Sequence, residues 1–77
     1  MNKAQKQLIA GFLKGNAGLY AEPYQTISEG CFTVLLAYGI EFAWNQGDCI
    51  RVESRCLTYD MEQAVKEIVK KAKVKVV

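Results

Sequence analysis

Residues 32–44 read FTVLLAYGIEFAW, and this stretch decides the fold of the chain. Large apolar side chains recur at every even position of it: Phe32, Val34, Leu36, Tyr38, Ile40, Phe42 and Trp44. A two-residue repeat is typical of a β-strand with one buried face, so these side chains are predicted to point into a core. The stretch is either one strand bent at Gly39 or two strands sharing a face. Few turn-forming residues surround Gly39, which favours the bent strand.

Two further strands are predicted beside this stretch. Residues 24–28 are short and rich in β-forming side chains, and residues 49–54 follow a turn cluster at 45–48. A three-residue loop at 46–48 would pair Trp44 with Ile50 and Phe42 with Val52. A two-residue turn would instead place Arg51 opposite Phe42 and bury its charge, so the three-residue loop is predicted.

Helices are predicted on both sides of the sheet region. The first covers residues 2–14, with Asn2 as its N-cap and Gly15 as its stop signal. The second follows Thr58, and its apolar side chains recur at helical spacing: Met61, Ala64, Val65, Ile68, Val69 and Ala72. Residues 74–77 alternate weakly, which allows a short C-terminal edge strand.

The element order therefore predicts a single small α+β domain over residues 1–77. Its expected architecture is a two-layer sandwich of a helix, a three-stranded antiparallel meander and a helix (αβββα). A chain of 77 residues buries only about 60% of its unfolded surface, so a partner that adds to the core would stabilise it.

The composition argues against most catalytic chemistry. The chain contains no His, which removes Ser-His-Asp and Cys-His arrangements, and no glycine-rich loop opens a helix after a strand. Cys31, Cys49 and Cys56 are odd in number and form no Cys-x-x-Cys pair, so buried free thiols are predicted rather than a metal site. We therefore expect no enzyme activity, no cofactor and no metal.

The compartment is predicted from what the sequence lacks. No apolar run reaches the roughly 18 residues of a membrane helix, and Lys14 and Asn16 stand where a signal peptide would be cleaved. A cytoplasmic protein without a membrane partner is expected.

A candidate partner-binding face follows from the predicted strand phase. The residues expected to point away from the core are Leu35, Glu41, Ala43, Arg51, Glu53 and Arg55. In the predicted register Glu41 and Glu53 lie opposite each other, as an acid pair or, more simply, as part of a solvated face. Another protein, or a second copy of the chain, is the partner that such a face would bind.

Charge is distributed unevenly along the chain. Residues 1–18 carry three Lys and no acid, residues 19–62 carry a net charge of −5, and residues 63–77 carry +4. Helix-dipole complementarity and solubility explain part of this layout. The alternative is nucleic-acid binding by the lysines near the end of the second helix, Lys66, Lys70, Lys71 and Lys73.

At the level of topology and length, the αβββα order resembles the double-stranded-RNA-binding domain. That family opens its second helix with a basic run, whereas residues 58–62 here are Thr58-Tyr59-Asp60-Met61-Glu62, which counts against RNA at that position. The size and charge segregation resemble small phage or mobile-element proteins that inhibit host nucleases. The expected function is a non-enzymatic protein-interaction module, an inhibitor or adaptor, with nucleic-acid binding as the alternative.

Overall fold

A computed structural model describes residues 1–55 and 57–76. It contains two helices and six strands, in the order α1 (Lys3–Leu13), β1 (Tyr20–Ala21), β2 (Tyr24–Glu29), β3 (Phe32–Ala37), β4 (Ile40–Asn45), β5 (Ile50–Val52), α2 (Tyr59–Lys71) and β6 (Val74–Val76). The α+β class is therefore confirmed. As far as the described residues extend, neither helix is long and apolar enough to cross a membrane.

Both helices begin at the predicted caps. The Asn2 side chain accepts a hydrogen bond from the Gln5 backbone N–H, and the Gln5 side chain accepts one from the Asn2 N–H, which completes a capping box. The Thr58 hydroxyl accepts from the Met61 N–H at 3.3 Å. Asp60 and Glu62 occupy the first turn of α2, and Lys70 and Lys71 the last, so the helix dipole favours the charges at both ends.

The predicted three-stranded meander is wrong, because the described residues form one six-stranded sheet in the order β1 to β6. Strands β1 to β5 pair antiparallel, and β6 pairs parallel to β5 after the chain crosses over through α2. The strand near the C-terminus thus exists over Val74–Val76, while Val77 lies outside the described residues.

The favoured single bent strand is also wrong, and the alternative of two strands holds. Tyr38 and Gly39 have φ values of 54° and 76°, and these two residues form a tight turn between β3 and β4. Positive φ at both central residues matches the right-handed twist of a hairpin. A non-glycine residue at such an angle is uncommon, so the sequence around Tyr38 did not signal the turn.

A β-bulge in the β3–β4 pair decides which side chains face the helices. Leu35 lies opposite Ala43, but Leu36 lies opposite Glu41, so Phe42 is the extra residue on β4. Phe42 and Ala43 are consequently both buried in the helix-facing core. The alternating pattern changes phase at this position.

The predicted β4–β5 register is wrong for the same reason. Trp44 lies opposite Arg51, and Asn45 lies opposite Ile50, which leaves a four-residue loop at 46–49 instead of three residues. The Gln46 N–H closes this loop by donating to the Cys49 carbonyl at 2.9 Å.

The main core lies between the two helices and one face of the sheet. Its helix side chains are Leu8, Ile9, Phe12, Met61, Ala64 and Ile68, and its sheet side chains are Tyr24, Leu35, Ala37, Phe42, Ala43, Ile50 and Val52. Both described helices therefore cover the same face of the sheet, and the molecule has two layers. Phe42 and Ile68 are buried as predicted, at 1% and 0% exposure.

Polar side chains of the sheet hold the C-terminal end of α1. The Asn45 side-chain amide donates to the carbonyls of Phe12 and Leu13 at 3.0 and 3.2 Å, and the Thr33 hydroxyl donates to the Gly15 carbonyl at 2.9 Å. The Phe12 carbonyl also accepts from the Gly15 N–H at 3.0 Å, and the sheet side chains add donors at the end of the helix, where intrahelical donors run out. They fix α1 against β3 and β4.

Candidate functional site

The sheet surface opposite the helices, called the open face below, is the main candidate site. The register places one side chain from each of five adjacent strands in a row across it: Ile27, Val34, Trp44, Arg51 and Lys75. Neighbouring rows add Gln25, Leu36 and Glu41 on one side and Glu29 and Phe32 on the other. Among the described residues, no helix covers this surface.

The open face is apolar in its centre. Val34 is fully buried and Leu36 is only 8% exposed, although both lie on the side of the sheet away from the helices. Ile27 and Trp44, which flank Val34 on β2 and β4, are half-buried, and Phe32 is 38% exposed. Because β3 is buried on both faces, its composition alone does not show which face receives the helices.

A shallow depression of about 270 Å³ lies on the open face. Glu29, Phe32, Trp44, Gln46 and Arg51 line it. The two aromatic side chains come from the central strands, and the two charged side chains come from the strands outside them, with Glu29 on β2 and Arg51 on β5. The depression thus combines apolar contact area with one positive and one negative group.

Two carboxyl groups of the open face, those of Glu29 and Glu41, interact although their rows lie on either side of the central row. The interaction with Glu41 raises the pKa of the Glu29 carboxyl above its usual value. Glu29 is therefore more readily protonated than an isolated glutamate. A positive group brought near these two carboxyl groups would favour their ionised forms.

A second groove, of about 460 Å³, lies where β4 and β5 approach the start of α2. Glu41, Glu53 and Arg55 line it together with Ile40, Phe42, Leu57 and Met61. The Glu53 carboxylate accepts hydrogen bonds from the backbone N–H groups of Ser54 and Arg55 at 3.0 and 3.3 Å. Glu41 and Glu53 thus share a groove. The Glu53 N–H donates to the Phe42 carbonyl at 2.8 Å, so Glu53 lies beside Phe42 and not, as predicted, opposite Glu41.

Only part of the predicted partner-binding face is accessible. Glu41, Glu53 and Arg55 come together in the groove, and Arg51 lies on the open face. The prediction that Leu35 and Ala43 point away from the core is wrong, because both side chains are fully buried beneath the helices at 0% exposure. The expectation that Phe32, Tyr38 and Ile40 point into the core is likewise wrong, since they are 38%, 63% and 58% exposed.

Asp60 links the β3–β4 hairpin to the first turn of α2. The Tyr24 hydroxyl donates to the Asp60 carbonyl, and the Tyr38 hydroxyl donates to the Asp60 carboxylate, each at 2.6 Å. Burial, and then the nearby charge of Asp60, raises the pKa of Tyr24 to about 12. The hydrogen bond to Asp60 also raises the pKa of Tyr38.

Two lysines of α1 lie beside the lysines of α2 that were predicted to contact nucleic acid. Lys66, Lys70 and Lys71 lie on α2, with Lys71 3.2 Å from Glu67, and Lys73 follows the helix. Packing of α1 against α2 brings Lys3 and Lys6 alongside Lys66, Lys70 and Lys71, and the sequence-based prediction did not include Lys3 and Lys6. The signal was present, because residues 1–18 carry three Lys and no acid.

Potential ligands for a metal are dispersed. In residues 1–55 and 57–76, no three His, Cys, Asp or Glu side chains are close enough to hold an ion. Cys31 is exposed, so the prediction that it is buried is wrong. Cys49 is half-buried, and its thiol donates to the Gln46 side-chain oxygen at 3.3 Å, while Cys56 lies outside the described residues.

The fold and the site define the class of this protein as a small two-layer α+β domain, with helices on one face of a six-stranded mixed sheet and an apolar open face on the other. Comparison with family models, with curated proteins and with solved structures gives no match to the chain.

Proposed function

We propose that this chain is a non-enzymatic protein-interaction module that binds through its open face, and that the surface it binds is the same face of a second copy. The observation that carries this proposal is the placement of Glu29 and Arg51 on either side of Phe32 and Trp44. An inhibitor or adaptor of the type that phages encode would be compatible with such a module, and that origin stays a prediction.

The charge layout of the open face is self-complementary. Glu29 lies on β2, one strand outside β3, and Arg51 lies on β5, one strand outside β4. A two-fold axis running along the line between β3 and β4 exchanges these positions when two open faces meet. Val34 of one copy then faces Trp44 of the other, and Ile27 faces Arg51. Glu29, one row further along β2, lies diagonal to Arg51 of the second copy, within reach of its long side chain. Interfaces related by a two-fold axis require this self-complementarity.

The aromatic side chains supply the contact energy in this arrangement. Trp and Arg are the residues that most often dominate binding energy in protein interfaces, particularly at the centre of the buried surface. Trp44 and Arg51 are direct neighbours on the open face, and Phe32 lies beside them. Packing two open faces together would produce a four-layer assembly with the helices outside.

Sedimentation velocity from about 1 to 200 µM tests the proposal. We expect a concentration-dependent dimer for the native chain and a monomer for Trp44→Gln. Tyr59→Gln is the matched control, because Tyr59 is a 74%-exposed aromatic residue at the start of α2, away from the open face. Circular dichroism of each variant verifies that the fold is retained.

A charge exchange makes the test specific. Arg51→Glu should abolish the dimer by placing like charges together, and adding Glu29→Arg to the same chain should restore it. A native chain that stays monomeric at 200 µM overturns the self-association. So does a dimer that Trp44→Gln and Arg51→Glu leave unchanged.

A further inference from the structure

The outer surface of the helix layer carries a second feature that the proposed interaction does not use. Five lysines lie on it and all are exposed: Lys3, Lys6, Lys66, Lys70 and Lys71. They are called the lysine face below. It lies on the opposite side of the molecule from the open face, because both helices pack on the other face of the sheet.

Two adjoining depressions show that these lysines form one surface. The first, of about 450 Å³, is lined by Lys3, Lys6 and Lys71, with Met1, Gln7 and Ala10. The second, of about 200 Å³, is lined by Lys6, Lys66 and Lys70, with Met1, Gln63 and Glu67. Lys6 belongs to both depressions, so lysines separated by some 60 residues in sequence surround one area.

The positive potential of this surface acts on its one acidic lining residue. Glu67 pairs with Lys71 at 3.2 Å, and the pKa of its carboxyl is lowered by that bond and by the charges of Lys71, Lys70 and Lys6. The contribution of Lys6 comes across the helix–helix boundary. The other acids of α2, Asp60 and Glu62, lie in its first turn.

We infer that the lysine face binds the phosphate backbone of a nucleic-acid duplex without reading its sequence. Packed helices have axes about 8–10 Å apart, so the lysines of α1 and α2 form two rows at that spacing. Flexible lysine side chains on two such rows can reach phosphates on both strands across a groove. Neutralised phosphates release counterions, which supplies the affinity.

The composition of the lysine face favours a duplex over other anionic partners. None of the residues lining the two depressions is aromatic, and single strands are bound largely by stacking bases on aromatic side chains. A helix that binds a membrane surface needs a broad apolar face. In the described parts of α1 and α2, the large apolar side chains that are exposed are Tyr59 and Val69, at 74% and 53%, which is too few for such a face.

Fluorescence anisotropy with labelled 20-base-pair DNA and RNA duplexes tests this inference, using the full chain at 50 to 200 mM NaCl. We expect log K to fall against log salt with a slope of about −4, because each phosphate contact contributes about −0.9. Lys6→Gln combined with Lys70→Gln should reduce affinity at 50 mM about tenfold and make the slope shallower by about 2.

Arg55→Glu is the matched control, because it changes the net charge by the same two units in the groove beside β5, away from the lysine face. It should leave the affinity within about twofold and the slope nearly unchanged. The inference is overturned by the absence of binding to either duplex at 50 mM NaCl. An equal loss of affinity in Arg55→Glu and in the double lysine variant would also overturn it. So would tighter binding of the separated single strands, or binding to phosphatidylglycerol vesicles alone. The outcome is independent of self-association, which Trp44→Gln reports separately.

Discussion

Trp44 and Arg51 lie directly opposite each other on β4 and β5, with both side chains on the open face of the sheet. The bulge at Phe42 produces this pairing, because it turns Ala43 and Asn45 towards the helices and leaves Trp44 outside. An aromatic and a cationic side chain thereby become available to a partner, and within residues 1–55 and 57–76 no charged side chain is buried in the core.

The first prediction concerns the face that receives the helices. Leu35 is fully buried beneath them, so Leu35→Ala should reduce the free energy of unfolding by about 2–5 kcal/mol. Ile40→Ala is the control for an apolar truncation in the same hairpin, and it should cost less than about 1 kcal/mol because Ile40 is 58% exposed. Urea denaturation measures both. Similar losses in the two variants would contradict the assignment of the faces.

The second prediction concerns the end of α1. Asn45→Ala removes the amide that donates to the carbonyls of Phe12 and Leu13. The Leu13 carbonyl then loses the amide donor and the Phe12 carbonyl keeps the Gly15 N–H, so the loss should cost about 1–3 kcal/mol. Amide hydrogen exchange should also become faster in the last turn of α1 than in α2. Asn16→Ala, at an exposed position, serves as the control and should change stability by no more than about 0.5 kcal/mol.

The third prediction is a loss of stability at alkaline pH. Tyr24 has a pKa raised to about 12 in the folded chain, against 10.0 for an unperturbed tyrosine. Between these values the folded state retains a proton that the unfolded state has released, so this stabilisation is complete below pH 10 and declines as the pH rises towards 12. Tyr24→Phe should reduce the downward slope by up to about 1.4 kcal/mol per pH unit.

Urea denaturation at a series of pH values from 8 to 11.5 measures this effect. Tyr59→Phe is the control, because it removes the hydroxyl of an exposed tyrosine at the start of α2, the helix to which Tyr24 is hydrogen-bonded. Tyr38 contributes in the same direction, since its hydrogen bond to Asp60 also raises its pKa, so part of the slope will remain in Tyr24→Phe. Identical slopes in the native chain and Tyr24→Phe would be inconsistent with the assignment.

The fourth prediction concerns the carboxyl pair on the open face. Glu41 raises the pKa of Glu29, so an NMR titration of the Glu29 side-chain carbon should show a midpoint above 4.5. Glu41→Gln removes the neighbouring charge and should move the midpoint back towards 4.5. The folded state here holds the extra proton, so the contribution of the pair to stability is complete below pH 4.5 and is lost as the pH rises above it. A midpoint that Glu41→Gln leaves unchanged would show that the two carboxyl groups do not interact.

Local signals in the sequence were sufficient for the elements near the helix starts and for much of the core. Asn2 and Thr58 cap the helices as their side chains predict, because a cap depends on residues three positions apart. Ile68 is buried because its apolar neighbours recur at helical spacing. Phe42 is buried as well, although at the bulge that changes the phase of β4. Arg51 was correctly placed away from the core, because an unpaired charge is costly to bury.

The sequence by itself thus determined the α+β class, the helix caps and the uneven charge, whereas only the tertiary structure decided which sheet face the helices cover. Residues 33–37 are buried on both sides, so their alternation fits either face, and one extra residue at Phe42 reverses the phase along β4. Such a bulge is stabilised by packing between residues distant in sequence. The same long-range packing sets Lys6 beside Lys70, because two helices separated by five strands must share one side of the sheet to bury their apolar stripes.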